Sequence, residues 1–240
     1  MSGASQSLVL PADYPRIKTV GSFDELISTP LEGDVNALCW ERTLTGNFRE
    51  VVEGLGPGEG IVPVEESRLR GLPLSEAGQV ARATLLDDLE RLRTHDLLPS
   101  LDCIYSSRRD ESGSPVPTDV SSFHVDSATV PADTYLCAYV EAASEGLRND
   151  QACRHVDIPG TRAALLRLFG GEDNDDFVEF LNDHFYDLHY APRPGAQPFS
   201  FGLGNFWRIA TEYPGSPVPP CIHRAPITAP GTPPRLLLIS

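Results

Sequence analysis

The first hundred residues combine short apolar runs with helical periodicity. Ser22 and Glu25 form a capping box, which marks the start of a short helix. Leucines recur at helical intervals after Ser75, so the longest helix begins there. Residues 1–100 are therefore predicted to form a mixed support region in which helix is prominent, with helices at 22–30, 46–53 and 75–95 and a buried strand at 35–40.

Beyond residue 100 the pattern changes to short runs of β-branched, aromatic and apolar residues separated by turn signals. Helical spacing interrupts these runs in two neighbouring segments, at 161–169 and 173–190. The chain is therefore predicted to be mainly β with helices, an α+β fold with a core at 101–240 and a helical insert near 160–190. The strands are predicted near 102–107, 122–126, 134–141, 152–158, 198–203, 205–211, 220–224 and 235–239.

Length and composition indicate the class of protein and the number of domains. The chain has 240 residues, of which 40% are hydrophobic, enough to bury a sizeable core and to exclude the intrinsically disordered class. Its 20 glycines and 22 prolines favour many short elements joined by turns over a helical bundle. We expect a single domain over 1–240.

Charge and apolar segments exclude several kinds of partner. Lys and Arg number 19 against 34 Asp and Glu, and the resulting net charge of −15 repels nucleic acid and anionic membranes. No apolar stretch approaches the roughly 20 residues that span a bilayer. The amino terminus lacks the pattern of a signal peptide, and the five cysteines are widely spaced. We expect a cytoplasmic protein with a small-molecule substrate.

Candidate metal ligands lie in the carboxyl-terminal half. His124 and Asp126 are two residues apart in a predicted strand, so their side chains point to the same face. His223 follows in a later strand and can complete a set of three ligands. Two neutral imidazoles and one carboxylate leave the remaining coordination positions open, an arrangement that suits non-haem Fe(II). His124, Asp126 and His223 are therefore the predicted iron ligands.

A candidate anion-binding residue follows the last of these ligands. Arg235 comes 12 residues after His223, one strand further along the chain. A guanidinium group can hold a carboxylate through two parallel hydrogen bonds. Arg235 is thus placed to bind the distal carboxylate of a dicarboxylic co-substrate whose keto acid end chelates the iron.

Taken together, this order of His-x-Asp, distant His and Arg resembles the Fe(II)- and 2-oxoglutarate-dependent oxygenases. The likeness covers about residues 101–240 and includes the strand after Asp126 and the closing pair of strands. It implies a double-stranded β-helix, the cupin-like jelly roll, buttressed by the helical region at 1–100. It also implies an enzyme that uses Fe(II), 2-oxoglutarate and O2 to hydroxylate its substrate, releasing succinate and CO2.

A second His-x-Asp, at His155 and Asp157, competes for the same role. In the family that the chain resembles, four strands separate the His-x-Asp strand from that of the distal His. Four predicted strands lie between the strands of His124 and His223, whereas only two lie between those of His155 and His223. Strand counting therefore favours the first pair, and the second is expected at the polar end of a strand.

One position departs from the family pattern. Many members carry a serine two residues after the arginine, where this chain has Leu237. Tyr139 and Tyr135 are the candidate hydroxyl donors to the co-substrate in its place. Aromatic core packing is the alternative role of both tyrosines.

Substrate contacts are predicted from position alone. The helical insert lies where the family often covers its substrate, and the last core strands supply further candidates. Packing and structural ion pairs are the alternatives for each of them. Two other functions also stay open: a non-catalytic jelly-roll domain that binds a metal or ligand, and a facial-triad iron enzyme that does not use 2-oxoglutarate. The candidate substrate residues are Arg162, Tyr186, Trp207, Arg208 and Arg224.

Overall fold

Most of the helix lies near the amino terminus and most of the strands lie in the carboxyl-terminal half. The computed structural model describes residues 10–107, 109–229 and 231–240. Within these ranges lie six α-helices: α1 (Phe23–Ser28), α2 (Phe48–Leu55), α3 (Glu66–Arg70), α4 (Glu76–Arg93), α5 (Pro159–Phe169) and α6 (Asp175–Asp183).

The strands form one large sheet and two small ones. The large sheet has the order β1-β2-β10-β5-β12-β4-β3, and its neighbours are antiparallel except for β1 and β2. A small sheet has the order β11-β6-β9, and β7 pairs with β8. The strands in the described ranges are β1 (Ile17–Val20), β2 (Ala37–Trp40), β3 (Ile61–Pro63), β4 (Ser100–Ile104), β5 (Asp133–Val140), β6 (Glu145–Gly146), β7 (Ala152–Arg154), β8 (Tyr190–Pro192), β9 (Phe199–Ser200), β10 (Phe206–Ala210), β11 (His223–Arg224) and β12 (Arg235–Ile239).

The predicted helices are confirmed, with one change at the insert. Ser22 and Ser75 cap α1 and α4 as N-terminal residues, their hydroxyls accepting backbone N–H groups three residues on. The predicted helix over 173–190 is shorter than expected, because Phe185 adopts a left-handed backbone conformation with φ of 58°. A single 3₁₀ turn, Tyr186–Leu188, follows that break.

Four of the predicted strands are wrong in extent. The segments 198–203 and 220–224 keep only two strand residues each, in β9 and β11. The segment 122–126 forms no regular strand; it pairs through isolated bridges from His124 to His223 and to His189. In the segment 152–158 only β7 is extended, and the residues after it form a 3₁₀ turn. Helix makes up 29% of the structure and strand 22%, so the chain is mixed α and β rather than mainly β.

The large sheet is covered on both faces. On one face, alternate residues such as Leu236 and Leu238 pack with side chains of α1, α2 and α4. On the other face, Leu136 and Ala138 pack with Trp207 and with residues of the small sheet. Alternation along β5 and β12 therefore decides which side chains meet the amino-terminal helices and which face the small sheet.

A buried ion pair joins the helical region to the large sheet. Arg42 contacts the Asp88 carboxylate of α4 at 2.8 Å, and both side chains are almost fully buried. Tyr139 of β5 donates its hydroxyl hydrogen to the other oxygen of Asp88 at 2.7 Å. Arg42 also donates to the carbonyl oxygen of Gly204 at 2.8 Å. These bonds satisfy a charge pair that would otherwise be costly to bury.

No helix in the described part of the chain has the length and apolar composition needed to cross a bilayer. The longest, α4, carries acidic and basic residues along its length. All five cysteines are free.

Candidate functional site

Three polar side chains converge where the small sheet meets the segment 122–126. His124 and His223 are direct cross-strand neighbours, since each backbone N–H donates to the other's carbonyl oxygen at 2.9 Å. Their ring centroids are 4.6 Å apart. The Asp126 carboxylate lies 4.0 Å from Nε2 of His124 and 3.7 Å from Nε2 of His223. One ligand atom from each residue lies within 4.8 Å of the others, so the group could hold a metal ion.

Hydrogen bonds fix which nitrogen of each imidazole is free. Nδ1 of His124 bonds the carbonyl oxygen of Ser122 at 2.8 Å, and Nδ1 of His223 bonds that of Cys221 at 3.2 Å. Because a carbonyl oxygen only accepts, Nδ1 carries the hydrogen in both rings. The Nε2 lone pairs therefore point away from these carbonyls and are free to bind a metal.

The protonation state of His124 also suits a ligand. Burial, and after it the neighbouring His223, lower its pKa to about 4. A neutral imidazole is therefore the stable form at neutral pH. It is also the form that coordinates metals.

Thr134 of β5 orients the carboxylate of the group. Its hydroxyl donates to Oδ2 of Asp126 at 2.6 Å, and its side chain is buried. Thr134 lies on the same face of β5 as Leu136 and Ala138. The candidate metal group therefore faces the side of the large sheet that meets the small sheet.

Substituting Thr134 tests this orienting role. Thr134→Val keeps the shape of the side chain but removes the donor, so we expect the affinity for a divalent ion such as Co(II) to fall roughly tenfold. Thr211→Val is the matched control, because the buried Thr211 hydroxyl donates to the carbonyl of Ala132 instead. Titration of the Co(II) absorption bands measures both; equal affinities in the two variants would contradict the role.

Arg235 is a buried cation at the start of β12. Its Nε donates to the carbonyl oxygen of Ala142 at 2.9 Å, and its Nη2 has no hydrogen-bond partner in the described residues. Burial lowers the pKa of its guanidinium to about 10, and no nearby carboxylate opposes that effect. An uncompensated guanidinium with a free donor is suited to bind an anion.

Arg235 shares a face of the large sheet with the metal group. It alternates with Leu236 and Leu238, which pack on the amino-terminal helices, so Arg235 points to the side of the small sheet. Thr134 lies near the opposite end of β12 from Arg235. The residue after Thr134, Tyr135, pairs with Ser240, which follows the last residue of β12. A ligand that reaches both Arg235 and the metal group must therefore extend along the strands.

The second His-x-Asp is not part of the group. His155 and Asp157 lie in a 3₁₀ turn, and the His155 backbone N–H donates to the carbonyl oxygen of His189 at 2.9 Å. The structure thus brings together the ligands predicted from the first His-x-Asp. The expected polar strand end is instead the turn after β7.

The two candidate tyrosines lie on the wrong face to meet Arg235. Tyr139 bonds Asp88 and stacks on Phe48 with ring centroids 5.3 Å apart. Tyr135 belongs to the same core against the amino-terminal helices. Their prediction as co-substrate ligands is corrected, because strand alternation directs both side chains away from the face that carries Arg235.

All three predicted substrate arginines are engaged in ion pairs, and two of them, Arg224 and Arg208, lie at the sheets. Arg224 pairs with Glu145 at 2.7 Å and lies over the ring of Phe123. Arg208 pairs with Asp133 at 2.7 Å and donates to three carbonyl oxygens at the end of α1. Both arginines therefore have structural partners, and neither lines the cavity beside the metal group.

The other predicted substrate residues are likewise held by the fold. Arg162 forms a bidentate ion pair with the Asp173 carboxylate on the exposed side of the insert. Tyr186 is buried, and its hydroxyl oxygen accepts from the Ser114 hydroxyl. Trp207 is fully buried against the small sheet, with its indole N–H donating to a backbone carbonyl. None of the three lines the cavity beside the metal group.

A cavity and a third histidine were not predicted. A space of about 220 Å³ opens beside His124 and Asp126, and His189 lines it. The ring centroids of His189 and His124 are 5.7 Å apart. His189 follows the irregular turn after α6, so no periodic pattern marks its position. Its long-range bridge to His124 and the flanking backbone bonds from Val125 to Leu188 and from Tyr190 to Phe123 bring it to the site.

Comparisons with known proteins add nothing to this geometry. No protein-family model matches the chain, and searches of curated proteins and of solved structures each found no match.

Proposed function

We propose that this protein is an Fe(II)- and 2-oxoglutarate-dependent oxygenase that hydroxylates a small molecule and releases succinate and CO2. The observation that carries the proposal is the convergence of His124, Asp126 and His223 with both Nε2 atoms free. Two imidazoles and one carboxylate are the ligand set of non-haem Fe(II) oxygenases. Each is held by a further hydrogen bond, as metal ligands usually are.

The path of the chain through the sheets supports a double-stranded β-helix. After β4 in the large sheet, the chain enters the small sheet at the His124 segment and returns to the large sheet as β5. It then runs through β6 and β9 in the small sheet, β10 in the large one, β11 in the small one and β12 in the large one. Eight segments exchanged between two sheets in this way are typical of a jelly roll.

Arg235 supports the choice of co-substrate. It is a buried cation without a carboxylate partner in the described residues, on the same face as the metal group. One carboxylate of 2-oxoglutarate would accept hydrogen bonds from its guanidinium, and that anion would offset the cost of the buried charge.

The residues present fit the iron that the proposal requires. His124 and His223 would hold it through Nε2 and Asp126 through its carboxylate, which Thr134 keeps oriented. Bound iron would couple cleavage of O2 to oxidation of 2-oxoglutarate and of the substrate. The protein's own part is to fix the ligands, bind the co-substrate carboxylate and hold the substrate in the cavity.

The decisive experiment adds Fe(II) and then 2-oxoglutarate to the protein without oxygen. We expect a weak visible charge-transfer band that appears only when both are present. His124→Ala should abolish this band because it removes one ligand. His155→Ala is the matched control from the second His-x-Asp and should leave the band intact.

Each other outcome of this experiment would indicate a different function. Folded protein that binds no Fe(II) would overturn the proposal and favour a non-catalytic domain. Iron binding without the band would favour a facial-triad enzyme that does not use 2-oxoglutarate. With oxygen admitted, release of succinate separates turnover from binding alone.

A further inference from the structure

The cavity beside the metal group has the features of a substrate site. It is about 220 Å³ in volume and extends outward from His124 and Asp126. Apolar side chains form much of its wall, and two of them, Val120 and Phe185, are 46% and 58% exposed at its mouth. Small-molecule sites are usually apolar clefts with a few fixed polar groups.

His189 supplies one such polar group. Its Nδ1 bonds the carbonyl oxygen of Phe185 at 2.8 Å, so Nδ1 carries the hydrogen and Nε2 is left as an acceptor. Nε2 has no hydrogen-bond partner in the described residues. The side chain is buried, and it lines the cavity. A ligand hydroxyl or amine can therefore donate to it.

Phe185 is held in a backbone conformation that disfavours it. Its φ of 58° is left-handed, a region that few residues other than glycine adopt without strain. Its side chain is nonetheless exposed beside the cavity, while its carbonyl fixes the ring of His189. Backbone strain of this kind is common at active sites and ligand-binding sites. Phe185 thus both shapes the apolar wall and orients the polar group.

The charge of the cavity selects against anions. Asp119 and Asp126 line it, and no lysine or arginine of the described residues does. The Asp119 carboxylate is fixed in place by the backbone N–H groups of Asp110 and Ser121, at 3.0 and 2.8 Å. Asp126 belongs to the metal group, so Asp119 is the carboxylate that an anionic ligand would face without a counter-charge when a metal is bound.

We propose that this cavity binds the substrate, a small neutral or cationic molecule with an apolar body that packs on Phe185 and a hydroxyl or amine that donates to Nε2 of His189. This assignment rests on the proposed oxygenase function and specifies the substrate class of the same site. The positions of Phe185 and His189 make them specificity-determining residues.

Three probes of the same ring size test this assignment: cyclohexanol, cyclohexylamine and cyclohexanecarboxylate. Binding is measured by NMR titration of the full chain, metal-free and with Zn(II) and 2-oxoglutarate added. We expect cyclohexanol and cyclohexylamine to bind with millimolar dissociation constants, as fragments of this size do, and the carboxylate to bind at least roughly tenfold more weakly.

Two variants and a control locate the binding. Phe185→Gly removes the wall at a position where glycine fits the backbone, so affinity should fall roughly fivefold or more without loss of thermal stability. His189→Phe keeps the ring but removes the acceptor and should weaken cyclohexanol by a similar factor. Leu168→Ala changes a leucine that is 57% exposed outside the cavity and should leave binding unchanged.

The possible results separate this inference from the proposed function. Equal or tighter binding of the carboxylate, no binding of any probe, or unchanged affinity in folded Phe185→Gly would each overturn it. Metal binding is recorded on the same samples. If the probes bind as expected but Fe(II) does not, the cavity assignment stands and the oxygenase proposal fails. If Fe(II) and 2-oxoglutarate bind but the probes do not, the oxygenase proposal stands and the cavity assignment fails.

Discussion

Replacing Arg235 by methionine is expected to raise the melting temperature of the ligand-free protein and to abolish its stabilisation by 2-oxoglutarate. Burial lowers the pKa of this guanidinium from 12.5 to about 10. Each tenfold change in its acidity constant corresponds to about 1.4 kcal/mol, so the buried charge costs the fold about 3 kcal/mol. Methionine has a similar length and no charge, so it avoids that cost.

The gain should be smaller than the full cost. Arg235→Met also leaves the carbonyl oxygen of Ala142 without its hydrogen bond, which offsets about 1 kcal/mol. A net gain of about 2 kcal/mol would raise the melting temperature by roughly 4–8 °C in a chain of this size. Thermal unfolding with and without 2-oxoglutarate, in the presence of Fe(II) and absence of oxygen, measures both effects.

Arg208→Met provides a control of opposite sign. Arg208 is paired with Asp133 and bonds the carbonyl oxygens at the end of α1, so its loss should lower the melting temperature. Its response to 2-oxoglutarate should be retained. If Arg235→Met were still stabilised by 2-oxoglutarate as the unmodified protein is, Arg235 would not be the co-substrate residue.

Replacing Asp88 by asparagine is expected to destabilise the protein by about 3–5 kcal/mol, because it leaves Arg42 as an unpaired buried charge. The hydroxyl of Tyr139 would also lose a charged acceptor. In chemical unfolding the midpoint should move to lower denaturant concentration with little change in slope.

The neighbouring residue on α4 is the matched control for this change. Asp87 is exposed, so Asp87→Asn should alter the free energy of unfolding by less than about 0.5 kcal/mol. A comparably small effect of Asp88→Asn would mean that the Arg42–Asp88 pair contributes little to holding the helical region on the sheet.

The grouping of the three candidate ligands could be predicted from sequence, although the local structure around them could not. Alternation places residues two apart on one face, and His124 and Asp126 do face the same group. Their segment is nonetheless irregular. It is aligned by backbone bonds to His223 and to the stretch before β8, contacts that lie far away in sequence.

The same rule explains the error at the tyrosines. Alternation predicts that Tyr135 and Tyr139 share a face, and they do. It does not predict which layer covers that face, because this depends on where α2 and α4 pack. Phe48 and Asp88 settle the question, and both lie in the amino-terminal region.

Short strands account for most of the remaining differences. β6, β9 and β11 have two residues each, too few for a period of two to be visible in sequence. Of the four strands predicted between His124 and His223, three are present as β5, β9 and β10, and β6 is not predicted. The predicted strand at 152–158 contributes instead to the pair β7 and β8.

The cross-strand pairing of His124 with His223 links ligand binding to local unfolding. Their two mutual backbone bonds join the segment 122–126 to a small sheet whose strands have few other bonds, so this sheet should open more readily than the large one. Any ion that holds the two Nε2 atoms together would also hold these two backbone segments together. Occupancy of the group and closure of the small sheet are therefore coupled equilibria, and the site would gain rigidity as it is filled.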